Sequence, residues 1–491
     1  MRNSEKRTLM ILSVVLLALI MSTVGAWAQT SSGGNYKITS SVTAGGGGAS
    51  SGSGSKVIEG TAGQANAGGP IGNGTISHVS GFWPTTLAQP TPTPNGGPLT
   101  VQFNAANYEG NEGCAGAQIT VSRSGDTSST VSVDFLTTNG TAAQRTDYTL
   151  GSGTITFLSG ETLKAFRVLL SKDAYNEGPE TINLTLSNPT GGAALGSQST
   201  ATLTIIDDMS VPASSQPIDD TATFVCQQYH DFLARSADPG GSAFWMSQIT
   251  QCGNDQSCIN SKRIDVSNAF YYELEFQQTG SYVYRLYRAA YGNNQPFANP
   301  NPDPQHPGEE QKVPLYLPFM KDRAGVRGGA QLPQLQLELA NAFVARPEFL
   351  ARYPANLDGS SFVAAVLAKI KSDTGANLDS QQQALTSLFN SGGRGNVLYR
   401  LADDNAQTNP IANQAFIEAE YNRAFVFTQY AGYLRRNADM AGFLFWLGQV
   451  NSGPLRDVTK QHAMVCSFTT SIEYQQRFSA IATHSNAECG Q

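Results

Sequence analysis

Between residues 208 and 221 the hydrophobic pattern of this chain changes period. Upstream, seven short runs alternate apolar and polar residues: Leu99–Phe103, Ala117–Arg123, Ser129–Thr137, Gly153–Phe157, Leu163–Leu170, Thr181–Leu186 and Ser199–Ile206. Turn residues such as Ser124-Gly125-Asp126 and Asn139-Gly140 separate them. Downstream, Phe224-Val225, Tyr229 and Phe232-Leu233 fall on one face of a helix. Strands bury every second side chain and helices every third or fourth, so the two stretches cannot share one kind of layer. The expectation is a multi-domain β + α chain, with an antiparallel immunoglobulin-like β-sandwich over 99–208 followed by an all-α domain. The stretch 209–220, with Val-Pro-Ala-Ser-Ser-Gln-Pro at 211–217, reads as the linker between them.

The helical part repeats itself. Phe224-Val225, Tyr229, Phe232-Leu233, Arg235, Asp238, Gly241 and Phe244-Trp245 recur as Phe425-Val426, Tyr430, Tyr433-Leu434, Arg436, Asp439, Gly442 and Phe445-Trp446. Each copy is followed by a glutamate before an aromatic, Glu275-Phe276 and Glu473-Tyr474, and a third such pair stands at Glu348-Phe349. Recurrence at this distance marks repeat architecture. The first repeat is placed at 221–292 and further repeats at 315–480, with a tail over 481–491. A Pro/Asn-rich loop without periodicity lies between them at 293–314.

Arg2, Lys6 and Arg7, the apolar run Leu9–Met21 and then Ala26-Trp27-Ala28 form an export signal over 1–28. Residues 29–88 are rich in Gly and Ser, with Tyr36–Thr39 and Lys56–Glu59 as strand-like islands. With Gly63-Gln64 and Gly81-Phe82-Trp83, the stretch resembles a β-hairpin-like motif common in exported bacterial proteins. Residues 89–98, alternating Pro and Thr, form a semi-rigid spacer. An exported chain meets oxidising conditions, so its six cysteines are expected to pair. Cys252 with Cys258, across a short polar loop, is the first choice, and Cys466 with Cys489 the second; Cys114 and Cys226 stay unassigned. The expected address is secreted or cell-surface/periplasmic, with no transmembrane span once the signal is cleaved. The formal net charge of −7 offers no basic footprint for nucleic acid.

Residues 99–208 resemble the Calx-beta domain, an immunoglobulin-like sandwich of sodium–calcium exchangers and bacterial surface proteins. The resemblance runs through Tyr108 and Glu112, Val121-Ser-Arg123-Ser-Gly125, Val131-x-Val133-x-Phe135, Asn139-Gly140-Thr141-Ala142 and Asp147-Tyr148. It continues through Gly153-Thr-Ile-x-Phe157, Gly160-Glu161, Asn176-Glu177-x-x-Glu180 and Thr204-Ile-Ile-Asp207-Asp208. What it implies is a calcium site at one end of the sandwich, with Glu112, Asp147, Asp173, Glu177, Asp207 and Asp208 as ligands. Calcium takes six to eight oxygens, and carboxylates supply them singly or in pairs. Here Lys172 and Ala174 flank Asp173, and Met209 ends the final acidic run. These departures thin the site and imply one ion or two, held more weakly than in a sensor.

Residues 221–480 resemble the bacterial family called domain of unknown function 4214, through Phe-Val-x-x-x-Tyr-x-x-Phe/Tyr-Leu-x-Arg, Asp-x-x-Gly and Phe-Trp. The family carries no established activity. Read physically, Arg235 and Arg436 close a helix where cations offset its dipole. Asp238 and Asp439 cap the next helix, Gly241 and Gly442 allow close approach, and Trp245 and Trp446 fill core. Sugar stacking on the tryptophans is the alternative. Lys321-Asp322-Arg323 reads as a salt-bridged turn. Asp238 with Glu275, and Asp439 with Glu473, could be drawn as acid/base pairs. Their presence in both copies argues for architecture instead, and neither Gly-x-Ser-x-Gly, His-Glu-x-x-His nor a phosphate loop occurs. The expectation is an exported calcium-binding surface or matrix protein, non-catalytic, serving adhesion or as a scaffold, with envelope proteins or glycans as partners. The alternative is a secreted enzyme acting on polysaccharide within 221–480.

Overall fold

The computed structural model describes residues 97–296 and 312–489, together with four short strands upstream. Those strands pair antiparallel as β1 (Ser32–Gly33) with β2 (Tyr36–Lys37), and β3 (Gly47–Ser51) with β4 (Val57–Thr61). The expected export signal over 1–28, the remainder of 29–88, most of the expected 89–98 spacer and most of the expected 293–314 loop lie outside the described residues. Residues 1–93 form one compact unit and residues 94–491 another. Among the described residues no helix is long and apolar enough to cross a membrane.

Residues 100–206 fold into two five-stranded sheets. One has the order β10 (Ser152–Phe157), β8 (Val131–Asn139), β12 (Glu180–Ser187), β14 (Thr200–Ile206), β6 (Asn107–Asn111). The other runs β13 (Ala194–Leu195), β5 (Thr100–Phe103), β7 (Ala117–Ser124), β11 (Leu163–Leu170), β9 (Tyr148–Thr149). The alternation read from the sequence appears directly as burial. Ala117, Ile119, Val121 and Arg123 of β7 point inward, as do Val131, Val133, Phe135 and Thr137 of β8. The inward rows close on one apolar core containing Phe103, Phe157, Leu184 and Leu203.

All seven expected strands are present, and β6, β9 and β13 join them. Asn107–Asn111 escaped the periodicity because it is an edge strand whose side chains are exposed or half-buried, so no apolar alternation marks it. It pairs in parallel with β14, and β13 pairs in parallel with β5. The sandwich is therefore mostly but not wholly antiparallel.

Helices occupy the chain from Thr221 onward and enclose a second core, rich in Tyr and Phe. The repeat is exact in its turns. Helix Thr221–Gln228 runs into a π turn at Tyr229–Leu233, and helix Gln414–Gln429 into a π turn at Tyr430–Leu434. Each π turn ends on a left-handed residue, Ala234 (φ 48°) and Arg435 (φ 47°). Tyr229 meets Phe270 edge-on at 5.0 Å, and Tyr430 meets Phe468 likewise at 5.0 Å. Asp238 and Asp439 cap the following helices through the N–H of Gly241 and Gly442, both at 2.7 Å. A Cβ on either glycine would collide with the tyrosine hydroxyl of its own repeat. Trp245 and Trp446 pack half-buried against the core.

Arg235 and Arg436 stand just past the ends of their π turns, and each forms a two-pronged pair with the glutamate of its own repeat, Glu275 (2.7 and 2.8 Å) and Glu473 (2.6 and 3.1 Å). One local reading is corrected. Lys321-Asp322-Arg323 is no salt-bridged turn. It lies in helix Tyr316–Gly325, and Asp322 pairs with Arg346 at 2.5 Å.

All six cysteines are paired: Cys252–Cys258, Cys466–Cys489 and Cys114–Cys226. The third ties the sandwich to the first helix across 112 residues of sequence.

Candidate metal centre

The predicted ligands gather at one end of the sandwich because each follows or precedes a strand that ends there. Glu112 follows β6, and its N–H donates to Ile206 O at 3.1 Å. Asp147 precedes β9. Its N–H donates to Ala143 O (2.9 Å), while its Oδ2 accepts from Ala143 N (2.6 Å), so a tight loop holds the carboxylate. Asp173 lies just beyond β11, and its Oδ1 accepts from Tyr175 N at 2.8 Å. Glu177 sits in the turn before β12, and Asp207 follows β14. Oδ2 of Asp207 accepts from Glu177 N (3.2 Å) and Gly178 N (3.4 Å), which fastens that turn to the end of β14.

Asp147, Asp173 and Glu177 come closest, each offering a carboxylate oxygen within 4.8 Å of the others. Asp147 and Asp173 are 7% and 2% exposed, while Glu177 is open to solvent. Oδ2 of Asp173 is buried and accepts no hydrogen bond. A buried carboxylate oxygen without a donor is costly unless a proton or a cation meets it.

The electrostatics carry the same message. Burial raises the Asp173 carboxyl to about 8, with repulsion from Glu112, Glu177 and Asp147 adding to it. Burial raises Glu112 to about 7, reinforced by Asp207, Asp147 and Glu177. Glu177 is raised by burial and then by Asp147 and Asp207. Glu180, at the first position of β12, was not among the residues expected from the sequence. Burial, a hydrogen bond to Asp147 and its repulsion lift it to about 8. Its signal was present in Asn176-Glu177-x-x-Glu180, but only the fold shows that the second glutamate turns toward Asp147.

Asp208 stands apart. Its Oδ1 accepts from the Ser210 hydroxyl (2.5 Å) and N–H (3.2 Å), and its Oδ2 lies 3.7 Å from Lys172 Nζ. Those bonds hold its carboxyl below the usual range. The structure thus brings Asp147, Asp173 and Glu177 together, with Glu112, Glu180 and Asp207 coupled to them, while Lys172 and Ser210 engage Asp208. The donors are all carboxylate oxygens, a set suited to a hard cation such as calcium.

In the helical region the imagined acid/base pairs are engaged by arginine. Arg235 bridges Glu275 to Asp238, and Arg436 bridges Glu473 to Asp439. Glu473 also takes Arg145 of the sandwich at 2.5 Å.

Residues 96–209 match the model of the Calx-beta domain, and residues 407–478 match a domain of unknown function (DUF4214). The second match covers the second copy of the helical repeat. Over 124 residues the chain is 38% identical to sodium/calcium exchanger 1 of Mus musculus, a match covering 22% of this chain and 13% of the exchanger. Sodium/calcium exchanger Calx of Drosophila melanogaster is 32% identical over 111 residues, covering 23% of this chain and 12% of that one. The chain thus spans about an eighth of the exchangers it matches. Among solved structures, the apo-form Calx CBD1 domain is 32% identical and covers 22% of this chain and 97% of its own, with a TM-score of 0.22. The sandwich is accordingly a Calx-beta domain, homologous to calcium-binding domains of sodium/calcium exchangers.

Proposed function

We propose that the sandwich binds calcium and that the protein is an exported bacterial surface or matrix component, acting in adhesion or as a scaffold without turnover. The observation that carries the calcium reading is Asp147, Asp173 and Glu177 within 4.8 Å of one another, with Asp173 Oδ2 buried and bare. Glu112, Glu180 and Asp207 complete the negative field around it. An ion there would neutralise groups that otherwise repel one another, and so would stiffen that end of the sandwich. Export is supported by the pairing of all six cysteines, since disulfides persist in oxidising compartments. A binding role without turnover is supported by the arginines that engage both repeated carboxylate pairs. Envelope proteins or glycans are the partners this reading assigns to the helical region.

Calorimetric titration with calcium tests it. The expected result is saturable binding by the intact chain, and its loss in Asp147→Asn/Asp173→Asn. Absence of heat and of any thermal shift at millimolar calcium would sink the reading. Incubation with polysaccharides, with and without calcium, tests the lack of turnover; released product would overturn it.

A further inference from the structure

Each repeat sets an arginine–glutamate pair beside its π turn, but only the second pair has a further partner. There Arg145 of the sandwich enters: its Nη2 donates to Glu473 Oε1 at 2.5 Å and its Nε to Leu434 O at 3.2 Å. The equivalent positions of the first repeat are Glu275 and Leu233. Arg235 holds Glu275 as Arg436 holds Glu473. Among the described residues, however, no second cation reaches Glu275. A hollow of about 380 Å³ opens there instead, bordered by Leu233, Arg235, Phe244, Trp245, Glu273 and Glu275. Gly328, which also lies against Glu275, is not part of its lining.

The charges differ in the same sense. In the second repeat Arg436 and Arg145 face Glu473 and Asp439, two against two. In the first, Arg235 alone faces Glu275, Asp238 and Glu273, one against three. Glu273 stands where the second repeat has Ser471, and its exposed side chain makes no ion pair among the described residues. The apolar wall of the hollow is also open: Phe244 is 55% exposed and meets Trp245 edge-on at 4.9 Å. A guanidinium suits such a place, because its edge pairs with carboxylates while its plane stacks on aromatic rings.

We propose that this hollow of the first repeat receives an arginine side chain from another exported protein, as the second repeat receives Arg145 from the sandwich. The arginine would pair with Glu273 and Glu275 and lie against Phe244 and Trp245. A neutral sugar could stack on the same rings but would leave the excess carboxylates uncompensated. The one arginine of this chain that fills the equivalent place is already held by Glu473. The proposal rests on the reading of the helical region as a binding surface, and it selects proteins over glycans as the partners.

The full chain is titrated with a capped peptide of alternating glycine and arginine, and in parallel with the same peptide carrying citrulline, which keeps the shape and loses the charge. The indole N–H resonance of Trp245 should shift saturably with the arginine peptide, and the citrulline peptide should bind at least about tenfold more weakly. Glu273→Gln and Phe244→Ala, both at exposed positions, should each weaken the arginine peptide about threefold while melting and binding calcium as the native chain does. No shift at Trp245, equal binding of the two peptides, or native binding by both variants overturns the proposal. So does a neutral oligosaccharide that takes the hollow in place of the arginine peptide, or self-association of the chain that depends on Glu273. Product released from a polysaccharide would bear on the absence of turnover alone, so the two failures are told apart.

Discussion

Asp173 is the residue on which the metal centre turns. It is the most buried acid of the set, one oxygen has no donor, and burial with three acidic neighbours lifts its carboxyl to about 8. With Glu112 near 7 and Glu180 near 8, the folded protein without metal holds protons that the unfolded chain releases near pH 4. A raised carboxyl pKa favours the fold only while the group is protonated. Stability of the metal-free protein is therefore expected to fall as pH rises from about 4 to about 8, and to level off above. Saturating calcium should flatten that slope, and binding at pH 7 should release protons, read as a dependence of the calorimetric heat on buffer ionisation. Asp173→Asn should stabilise the metal-free protein at pH 8 by about 1–3 kcal/mol, by removing one uncompensated buried charge, and should erase the calcium-induced thermal shift. A pH-independent melting temperature between 5 and 8 in chelator would contradict this. The identities of Asp147, Asp173 and Glu177 were legible in the sequence through the Calx-beta resemblance, which implied them at one end of the sandwich. Glu180 and the diversion of Asp208 to Ser210 were not, since both depend on where a side chain turns after the chain has packed.

At the scale of elements, the sandwich strands and the repeated helices were legible for the same reason: each has a periodic apolar face. What escaped was the edge strand Asn107–Asn111, which buries too little to leave a pattern, and the partners of the repeat arginines, which lie about 40 residues away in sequence. The aspartate caps were visible because capping is local. Asp439→Ala should cost about 1 kcal/mol and Asp238→Ala a similar amount, measured by urea unfolding, because each removes one N-cap acceptor. The Cys114–Cys226 link closes a far longer loop than the other two disulfides. Replacing both cysteines by serine should cost about 3–5 kcal/mol, seen as a lowered melting temperature of the non-reduced protein. An unchanged melting temperature would mean that the seam holds without it.

At the scale of the molecule, the loops that carry the metal ligands are also those on which the helices dock. Ala174 N donates to Phe478 O at 2.8 Å, and the Tyr175 hydroxyl to Gln476 O at 2.9 Å. Beside Asp147, Arg145 donates to Leu434 O (3.2 Å), and Tyr148 O accepts from Arg435. An ion that stiffens Asp147 and Asp173 should therefore slow amide exchange in the helical region as well. Hydrogen exchange with and without calcium is expected to show added protection around 434–435 and 476–479. Protection confined to 97–208 would show that the two layers do not communicate.

The sequence alone determined the two kinds of layer, the repeat and the helix caps, because periodicity, capping and turn chemistry act over a few residues, while the acids came through the resemblance to the Calx-beta domain. Only the tertiary structure decided that Asp173 has a bare buried oxygen, that Glu180 turns toward Asp147 and Asp208 toward Ser210 and Lys172. It alone also decided that Arg435 and Arg477 share Asp231 at the seam. Burial and long-range pairing arise when distant segments exclude water together, and no local pattern records them.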